Sequence, residues 1–309
     1  MSINYIEKKI PNFEQYEKLS KICFPNFKTS YQWYQWYNFN CPTGQKHEYQ
    51  ILEDKKLIGL LGCLPIKIKV NDETLNGGLL TNGMIHPEYR GKNLFVELEK
   101  FLIDSERRSG SKLLLGVPNR YIFRSHLRCD LRVLDNLDII GKFNFSDRPG
   151  DCREIFRFDD SYQYLQRRMK EKTNMYIVKD PDYLNWRYFM RPDKKYRCFA
   201  YYEGDTPIGW IVIGEYDEKG YKKTHIIDIN ATSIDIFKKL IRAAENLAHG
   251  RHELNCWNSA YSTYRRWFLE SGFIPTTEKN VLIGKGLDLD TEHIKKEDWW
   301  FCFGDNDVY

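Results

Sequence analysis

The sequence predicts a mixed α/β fold built from two units in tandem. Three observations support this prediction: strand patterns alternate with helix patterns, one block of sequence recurs, and 309 residues suit about two domains. The apolar fraction of 42% is sufficient for packed cores. Strands alternating with helices indicate a mixed sheet with helices on its faces.

A repeat with one constant offset links the two halves. Five residues recur 150 positions later: Trp36, Pro42, Glu53, Ile58 and Gly59 as Trp186, Pro192, Glu203, Ile208 and Gly209. Each copy has the pattern of an aromatic helix, a proline break, a strand, an acidic turn and a second strand. The sequence therefore predicts a duplicated fold with domains at 1–145 and 161–309. The linker is placed at 146–160, around Pro149-Gly150.

The elements follow the same order in both halves. In the first half the patterns predict a helix at 31–39, strands at 47–52, 57–70 and 79–85, a helix at 94–108, a strand at 112–117, a helix at 121–128 and a strand at 131–140. In the second half they predict a helix at 183–189, strands at 196–202, 207–216 and 224–229, a helix at 233–249, a strand at 252–257, a helix at 260–271 and a strand at 280–285.

One strand–loop–helix segment of the first half carries the clearest chemical signal. It runs Met84-Ile85-His86-Pro87-Glu88-Tyr89-Arg90-Gly91-Lys92-Asn93-Leu94-Phe95. A strand that leads through such a loop to a helix start leaves unpaired N–H groups at the positive end of the helix dipole, which suits a pyrophosphate. In the second half only Ala231-Thr232 separate the strand from the helix, so the cofactor site is expected in the first half.

This segment resembles the acyl-CoA-binding loop of the GNAT N-acetyltransferase superfamily, whose pattern is Q/R-x-x-G-x-G/A. Arg90 matches the first position, while Asn93 and Phe95 replace the two glycines. Asparagine tolerates positive φ, and Phe95 is expected to be the first apolar residue on the inner face of the helix. The order of elements is also that of GNAT domains. The resemblance therefore implies two GNAT-like domains in tandem, the second a degenerate copy that supplies substrate-binding surface.

The resemblance implies acetyl-CoA or another acyl-CoA as the co-substrate. It places the thioester beside a backbone N–H of Met84 or Ile85, and pantetheine between that strand and residues 115–119. The implied cofactor-binding residues are Met84, Ile85, Arg90, Gly91, Lys92, Asn93, Leu94, Phe95 and Asn119. Lys92 and the arginines 120, 124 and 128 are candidates to neutralise phosphates, and the arginines have solvated surface charge as the alternative interpretation.

The resemblance also suggests catalytic residues. The GNAT pattern has an asparagine that opens a helix with a general-acid tyrosine seven residues later; here Asn119 is followed at that spacing by His126. Histidine can donate a proton near neutral pH, although His126 is equally interpretable as a polar helix residue. Candidate bases are Asn82, which would orient water, His86, whose alternative role is to cap a turn, and Glu88.

The C-terminal segment is aromatic and acidic, which is unusual for a chain end. Trp300, Asp305 and Asp307 are candidate substrate-binding residues, because tryptophans beside carboxylates suit a sugar or a cationic amine. Simple packing is the alternative interpretation.

Composition limits the classes of partner. The net charge of +4 suits an anionic coenzyme but falls short of a nucleic-acid-binding surface, and no apolar stretch is long enough to span a bilayer. The eight scattered cysteines lack metal-ligand spacing and indicate a reduced, cytoplasmic protein without a metal. The expected partner is a small-molecule amine; oligomeric state is not predicted.

Three functions are compatible with these patterns. The Trp-Tyr, His-Pro-Glu-Tyr-Arg-Gly-Lys, Val-Pro-Asn, Leu-Asn-Trp-Arg-Tyr and Gly-Asp-x-Asp segments together resemble GNAT proteins of similar length that are associated with bacterial surface-polysaccharide synthesis. That resemblance implies N-acylation of an amino sugar, including nucleotide-linked ones. The alternatives are a Fem-type peptidyltransferase that uses aminoacyl-tRNA and a non-catalytic GNAT-like binding module.

Overall fold

The computed structural model describes residues 3–8, 12–26, 28–146, 150–259, 261–291 and 294–308. The chain divides into two compact units. The N-terminal unit consists of residues 1–68, 74–134 and 282–293, and the C-terminal unit of residues 69–73, 135–281 and 294–309. Each unit therefore combines segments that are distant in the sequence.

The N-terminal unit begins with a strand and two aromatic helices. The helices and strands that lie mainly in it are, in chain order, β1 (Ile3–Lys8), α1 (Phe13–Cys23), α2 (Tyr31–Phe39), β2 (His47–Glu53), β3 (Lys56–Val70), β4 (Glu73–Ile85), α3 (Leu94–Arg108), β5 (Leu113–Gly116) and α4 (Phe123–Leu127). Side chains of Asn12 and Ser30 cap α1 and α2 by accepting from backbone N–H groups of the first turn.

The C-terminal unit contains most of the remaining elements. These are β6 (Arg132–Lys142), β7 (Arg153–Ile155), α5 (Gln163–Arg167), β8 (Met175–Ile177), α6 (Pro181–Tyr188), β9 (Tyr196–Glu203), β10 (Thr206–Glu218), β11 (Tyr221–Ala231), α7 (Ile234–Ala248), β12 (Glu253–Ser259), α8 (Thr263–Glu270), β13 (Ile274–Gly286) and β14 (Trp299–Trp300). Residues 282–286 of β13 belong to the N-terminal unit.

Both units contain parallel and antiparallel strand pairs. In the N-terminal unit the order is β1-β2-β3-β4-β5, followed by the last residues of β13. There β4 and β5 are parallel, and Ile283–Gly286 pair antiparallel with Leu113–Gly116. In the C-terminal unit the order is β6-β12-β11-β10-β9-β7, with β11 and β12 parallel. The predicted mixed α/β fold class is confirmed.

The predicted elements agree with the structure to different extents. The helix at 94–108 is confirmed, and its inner face, with Leu98 and Leu102, is fully buried. The helix predicted at 121–128 is shorter, at Phe123–Leu127, because Asn119 and a turn precede it. Within the predicted linker, Arg153–Ile155 form β7, and Pro149 lies outside the described residues. The domain boundaries stay a prediction, which assigns one continuous segment to each domain.

Candidate active site

β4 and β5 pair over three positions, Gly77–Leu79 with Leu113–Leu115. β5 ends at Gly116, whereas β4 continues to Ile85. Pro118 has no N–H to donate, which favours the end of pairing at this point. Residues 80–85 of β4 therefore run on beyond their described pairing with β5. Residues 80–85, which lack described pairing with β5, together with residues 116–119 form what we call the β4–β5 wedge.

A β-bulge lies inside the wedge. A Cβ added to Gly78 would lie 3.9 Å from Glu106 Oε2, and one added to Gly83 would lie 3.1 Å from Phe95 Cε2. Both neighbours belong to α3, although an alternating strand would place positions 78 and 83 on opposite faces. Asn82, whose φ is +53°, supplies the extra residue. Bulges of this kind re-aim side chains beside active sites.

The loop at 86–93 leaves backbone donors available at the start of α3. The N–H groups of Tyr89 and Arg90 donate within the loop, to the carbonyls of His86 and Pro87. The next five N–H groups, of residues 91–95, have no hydrogen-bond partner among the described residues, and the Asn93 side chain does not cap the helix. Five consecutive N–H groups are therefore available to a ligand, whereas the N–H of Arg90 is already used.

Two residues of this loop adopt the left-handed conformation, and one of them, Asn93, stands where the family pattern has its first glycine. Gly91 has φ +78° and Asn93 has φ +65°. A Cβ added to Gly91 would meet nothing within 4 Å, so the space above the loop is open. Successive N–H groups in such conformations form a concavity that binds anions, and the dipole of the 15-residue α3 adds to it.

Cationic side chains lie in the loop and at α4. Arg90 Nε donates to the Ile85 carbonyl at 3.1 Å and so holds the end of β4. Lys92 is exposed, with Nζ 4.9 Å from the centroid of the Tyr89 ring. Arg124 and Arg128 on α4 are also exposed and form no ion pair with any described residue. Lys92 and these two arginines are available to an anionic ligand.

Phe95 directs its ring into the protein and contacts His126. The ring centroids are 5.3 Å apart, edge to face, and Phe95 is buried on α3 with Leu98 and Leu102. Leu94, one residue earlier, is also buried, so Phe95 is not the first buried apolar residue of the helix. His126 is 3% exposed and its Nδ1 shares a short hydrogen bond with Glu99 Oε1. Nε2 is therefore the ring nitrogen left for other chemistry. Glu99 was not predicted, because no local pattern links residues of two helices.

Asn119 shapes the start of α4. Its Oδ1 accepts from the N–H groups of Tyr121 at 2.9 Å and Ile122 at 3.3 Å, and its carbonyl accepts from Phe123 N–H. The side-chain oxygen of Asn119 therefore stabilises the turn that leads into α4. Opening this helix is one part of the role that the family pattern implies for Asn119. Tyr121 is 76% exposed.

Asn82 takes part in a buried polar cluster that sequence analysis missed. Lys46 Nζ donates to Asn82 Oδ1 at 2.9 Å, and Glu48 Oε2 lies 4.0 Å from the same nitrogen. Lys46 and Glu48 are both buried, and burial raises the pKa of Glu48. The available signal was that Lys46, Glu48 and Gln50 alternate along β2, which places three polar side chains on one face of a buried strand.

His86 begins the loop. Its N–H donates to the Ile58 carbonyl at 2.8 Å, and its ring lies edge-on to Tyr89. His86 Nδ1 is buried without a hydrogen-bond partner among the described residues, and Glu88 Oε2 lies 3.8 Å away. His86 therefore serves the turn through its backbone and keeps a ring nitrogen for a ligand or water.

The aromatic C-terminal segment packs inside the C-terminal unit. Trp300 lies 4.5 Å from the Tyr264 ring, between centroids. Asp305 is 2% exposed and lies 2.8 Å from Lys179 Nζ, which also contacts Asp228 at 2.6 Å. Burial raises the pKa of Asp305. The geometry of Trp300 and Asp305 is thus that of packing, the alternative weighed for them, while Asp307 is partly exposed.

The described residues contain no group of three or more His, Cys, Asp or Glu side chains able to hold a metal ion. No described helix has the length and apolarity that crossing a membrane requires.

Residues 5–126 match the family model of an acetyltransferase (GNAT) domain. This segment contains the wedge, the loop, α3 and His126, and it is an acetyltransferase domain of the GNAT type. No curated protein matches the sequence.

Solved structures share the fold over most of the chain. A GCN5-related N-acetyltransferase from Anabaena variabilis is 13% identical, with a TM-score of 0.73 over 93% of this chain and 73% of that one. A probable N-acyltransferase from Enterococcus faecalis is 12% identical, with a TM-score of 0.72 over 94% and 74%. N-myristoyltransferase from Saccharomyces cerevisiae, with bound myristoyl-CoA, is 10% identical, with a TM-score of 0.66 over 93% and 79%.

Proposed function

We propose that this chain is an acyl-CoA-dependent N-acyltransferase that transfers an acetyl group to the primary amine of an amino sugar, including nucleotide-linked amino sugars. The amine attacks the thioester directly, without a covalent acyl-protein intermediate. The observation that carries this proposal is the row of five unpaired N–H groups, residues 91–95, at the start of α3. The GNAT family match of the same segment supports acyl-CoA as the anion held there.

Three features of the loop suit the binding of a pyrophosphate. Its donors are consecutive, the space above Gly91 is open, and Lys92 supplies positive charge within the loop. Phe95 replaces the second motif glycine without filling this space, because its ring points towards Gly83 and His126. The two departures from the family pattern are therefore compatible with coenzyme binding.

The wedge would hold the acyl end of the co-substrate. A chain anchored at residues 91–95 reaches back along β4, where residues 80–85 extend past the paired positions. A backbone N–H of Met84 or Ile85 would stabilise the oxyanion that forms during attack. His126, with its Nδ1 held by Glu99, would return a proton through Nε2 to the leaving thiolate. His86 Nδ1, or water beside it, would take the proton that the amine loses.

The amino-sugar acceptor is supported by the resemblance of the motif set to proteins of surface-polysaccharide synthesis. The proposed tandem origin has structural support of its own. His86 N–H donates to Ile58 O, and Thr232 N–H donates to Ile208 O, so the two acceptors keep the 150-residue offset of the sequence repeat. We also propose that the protein acts in the cytoplasm, where acetyl-CoA and nucleotide-linked sugars coexist.

Ligand-dependent thermal stability tests the proposed co-substrate. Acetyl-CoA at 100 times its Kd should stabilise the protein by about 2.7 kcal/mol, whereas tRNA should not. Stabilisation by aminoacyl-tRNA alone would favour the Fem-type alternative. If no acyl-CoA shifts the melting temperature, the non-catalytic binding module is the favoured alternative. Release of free thiol with a panel of nucleotide-linked amino sugars then identifies the acceptor.

A pair of glycine substitutions localises the binding. Gly91→Val places a β-branched residue at φ +78°, and Gly220→Val does the same at φ +84° in the β10–β11 turn, where the added Cβ also meets nothing within 4 Å. Both variants should lose similar stability, but only Gly91→Val should lose the shift with acetyl-CoA. Equal shifts in both would show that the loop does not hold the coenzyme.

A further inference from the structure

Lys46 is a lysine whose ammonium lies inside the N-terminal unit. The residue is 3% exposed, and Nζ lies 5.4 Å from the Tyr37 ring centroid and 5.8 Å from that of Tyr16. Glu48 Oε2 is 4.0 Å away, beyond hydrogen-bond distance. The ammonium of Lys46 donates a hydrogen bond to Asn82 Oδ1 at 2.9 Å. Burying an ammonium group costs free energy, so the contacts of the Lys46 ammonium indicate its role.

The contact fixes which end of the Asn82 amide faces inward. An ammonium only donates, so the atom that meets Lys46 Nζ must be the amide oxygen. Thr81 Oγ1 also donates to this oxygen, at 3.4 Å. The amide nitrogen makes no hydrogen bond to any described residue, and Asn82 is partly exposed. Asn82 therefore offers a hydrogen-bond donor to a ligand, and its acceptor is already occupied.

The position of Asn82 makes this donor relevant to the reacting group. It is the left-handed residue of the bulge in β4, three residues before the strand ends and three after the last residue paired with β5. Non-glycine residues persist in this conformation only where their surroundings hold them, and such sites cluster at active centres. Gly62 of β3 leaves the room that Lys46 needs, because an added Cβ there would lie 3.2 Å from Nζ and from Cε.

We propose that Lys46 is a positioning residue that holds Asn82 as a hydrogen-bond donor to the carbonyl oxygen of the bound acyl thioester. The inference rests on the proposed function, which places that carbonyl in the wedge. It replaces the predicted role of Asn82 as a group that orients water for a base. The charge of Lys46 also polarises the amide and strengthens its N–H groups as donors.

The carbonyl itself provides the first test. Acetyl-CoA labelled with ¹³C at the thioester carbonyl is bound to the wild-type protein, and its infrared stretch is compared with that in Asn82→Gly and Lys46→Met. Glycine is the residue best suited to φ +53°, so Asn82→Gly should fold. The carbonyl stretch should lie at higher frequency in both variants, while the thermal shift with acetyl-CoA is unchanged. An identical stretch in wild type and Asn82→Gly would overturn the proposal.

Kinetics provide the second test. Asn82→Gly should lower kcat by about 10²-fold, the loss typical of removing one donor to an oxyanion, and KM for acetyl-CoA should not change. Lys46→Met should lower kcat by a similar or smaller factor. The double variant should be no slower than Asn82→Gly alone, because Lys46 acts through Asn82. Losses that multiply in the double variant would show that Lys46 acts separately and would overturn the assignment.

Controls separate this inference from the proposed function. Lys18→Met removes an exposed lysine paired with Glu14 and should change neither the stretch nor kcat. If Lys46→Met does not fold, Gly62→Ala is the second variant. Its added Cβ would lie 2.9 Å from Thr81 Oγ1 and 3.2 Å from Lys46 Nζ, so it crowds both donors to Asn82 Oδ1 while keeping the charge, and it should also raise the carbonyl frequency. A wild-type protein that does not bind acetyl-CoA would overturn both proposals. One that binds it with no contribution from Asn82 would overturn this one alone.

Discussion

The connections from β4 to α3 and from β11 to α7 begin alike and then differ. In each, the residue after the strand donates its N–H to an isoleucine carbonyl, His86 to Ile58 and Thr232 to Ile208. The first connection then continues to residue 93, whereas α7 begins at residue 234. Ser233 caps α7 by accepting from Ile236 N–H, while Asn93 makes no such bond. A helix that caps itself has used one of the donors that an anion would need.

The two units also use their buried lysines differently. Counting back four residues from His86 and Thr232 reaches Asn82 and Asp228, and each accepts from a buried lysine, Lys46 or Lys179. Burial disfavours the charge of Lys179, but Asp228 and Asp305 outweigh this and raise its pKa. In that cluster the two carboxylates neutralise the ammonium of Lys179. In the cluster at Lys46 the ammonium donates to a neutral amide, the Glu48 carboxylate lies 4.0 Å away, and the amide nitrogen is left available.

Removing the lysine of the cluster at Lys179 should have the largest effect on stability. Lys179→Met leaves the carboxylates of Asp228 and Asp305 buried without their cation, and should cost about 3–5 kcal/mol in urea unfolding. Lys46→Met leaves an amide and a carboxylate 4.0 Å away, and should cost less. A larger loss for Lys46→Met than for Lys179→Met would contradict the distinction between the two clusters.

Acid should change the stabilising contributions of His225 and His47 in opposite directions. Burial, the largest cause, and the charges of Lys223, Lys194 and Arg251 lower the pKa of His225 to about 4. Between its ordinary value of 6.5 and about 4 the unfolded chain holds a proton that the folded one does not, so His225 contributes about 3 kcal/mol above pH 6.5 that is lost towards pH 4.

The histidine of the N-terminal unit has the opposite sign. The hydrogen bond with Glu106 raises the pKa of His47, so its contribution is present below 6.5 and is lost as pH rises through the raised value. Hydrogen exchange in β2 and β11, measured at pH 7 and pH 5, should therefore show β11 losing protection relative to β2. His225→Gln should remove that difference. Equal changes of protection in β2 and β11 would refute the opposite pH dependences assigned to His47 and His225.

The smallest effects concern the two helix starts. Ser233→Ala removes a cap and should cost about 1 kcal/mol without changing acetyl-CoA binding. Asn93→Gly removes no cap and places glycine at φ +65°, so stability should hold or rise slightly and acetyl-CoA should bind at least as well. Loss of binding in Asn93→Gly would mean that the asparagine side chain, rather than its backbone conformation, contacts the coenzyme.

The local features of the site were predictable from sequence, and its contacts between elements were not. Apolar spacing predicts α3, and Pro87, Gly91 and Asn93 predict the loop, because periodicity and turn residues act over a few positions. Glu99 meets His126 across 27 residues, and Lys46 meets Asn82 across 36. No periodic pattern encodes such pairs, since the folded chain alone brings them together.

The bulge at Asn82 also could not be predicted from local sequence patterns. Its neighbours Thr81 and Gly83 give an ordinary strand pattern, and one asparagine does not distinguish a bulge from an exposed position. The unusual composition of β2, with polar residues at alternate positions, was a usable signal of a buried polar cluster, but it names no partner. The burial of His126 was not predictable either, because the five residues of α4 are too few to show an apolar periodicity.

The contribution of β13 to the N-terminal unit has a consequence for synthesis on the ribosome. Residues 283–286 occupy the edge of β5 opposite β4, yet they are translated long after the rest of that unit. A nascent chain that has emerged only to residue 145 would carry Leu113–Gly116 as an open strand edge, a surface prone to association with other chains. The acetyltransferase domain would therefore be completed only after residues 283–286 have been synthesised.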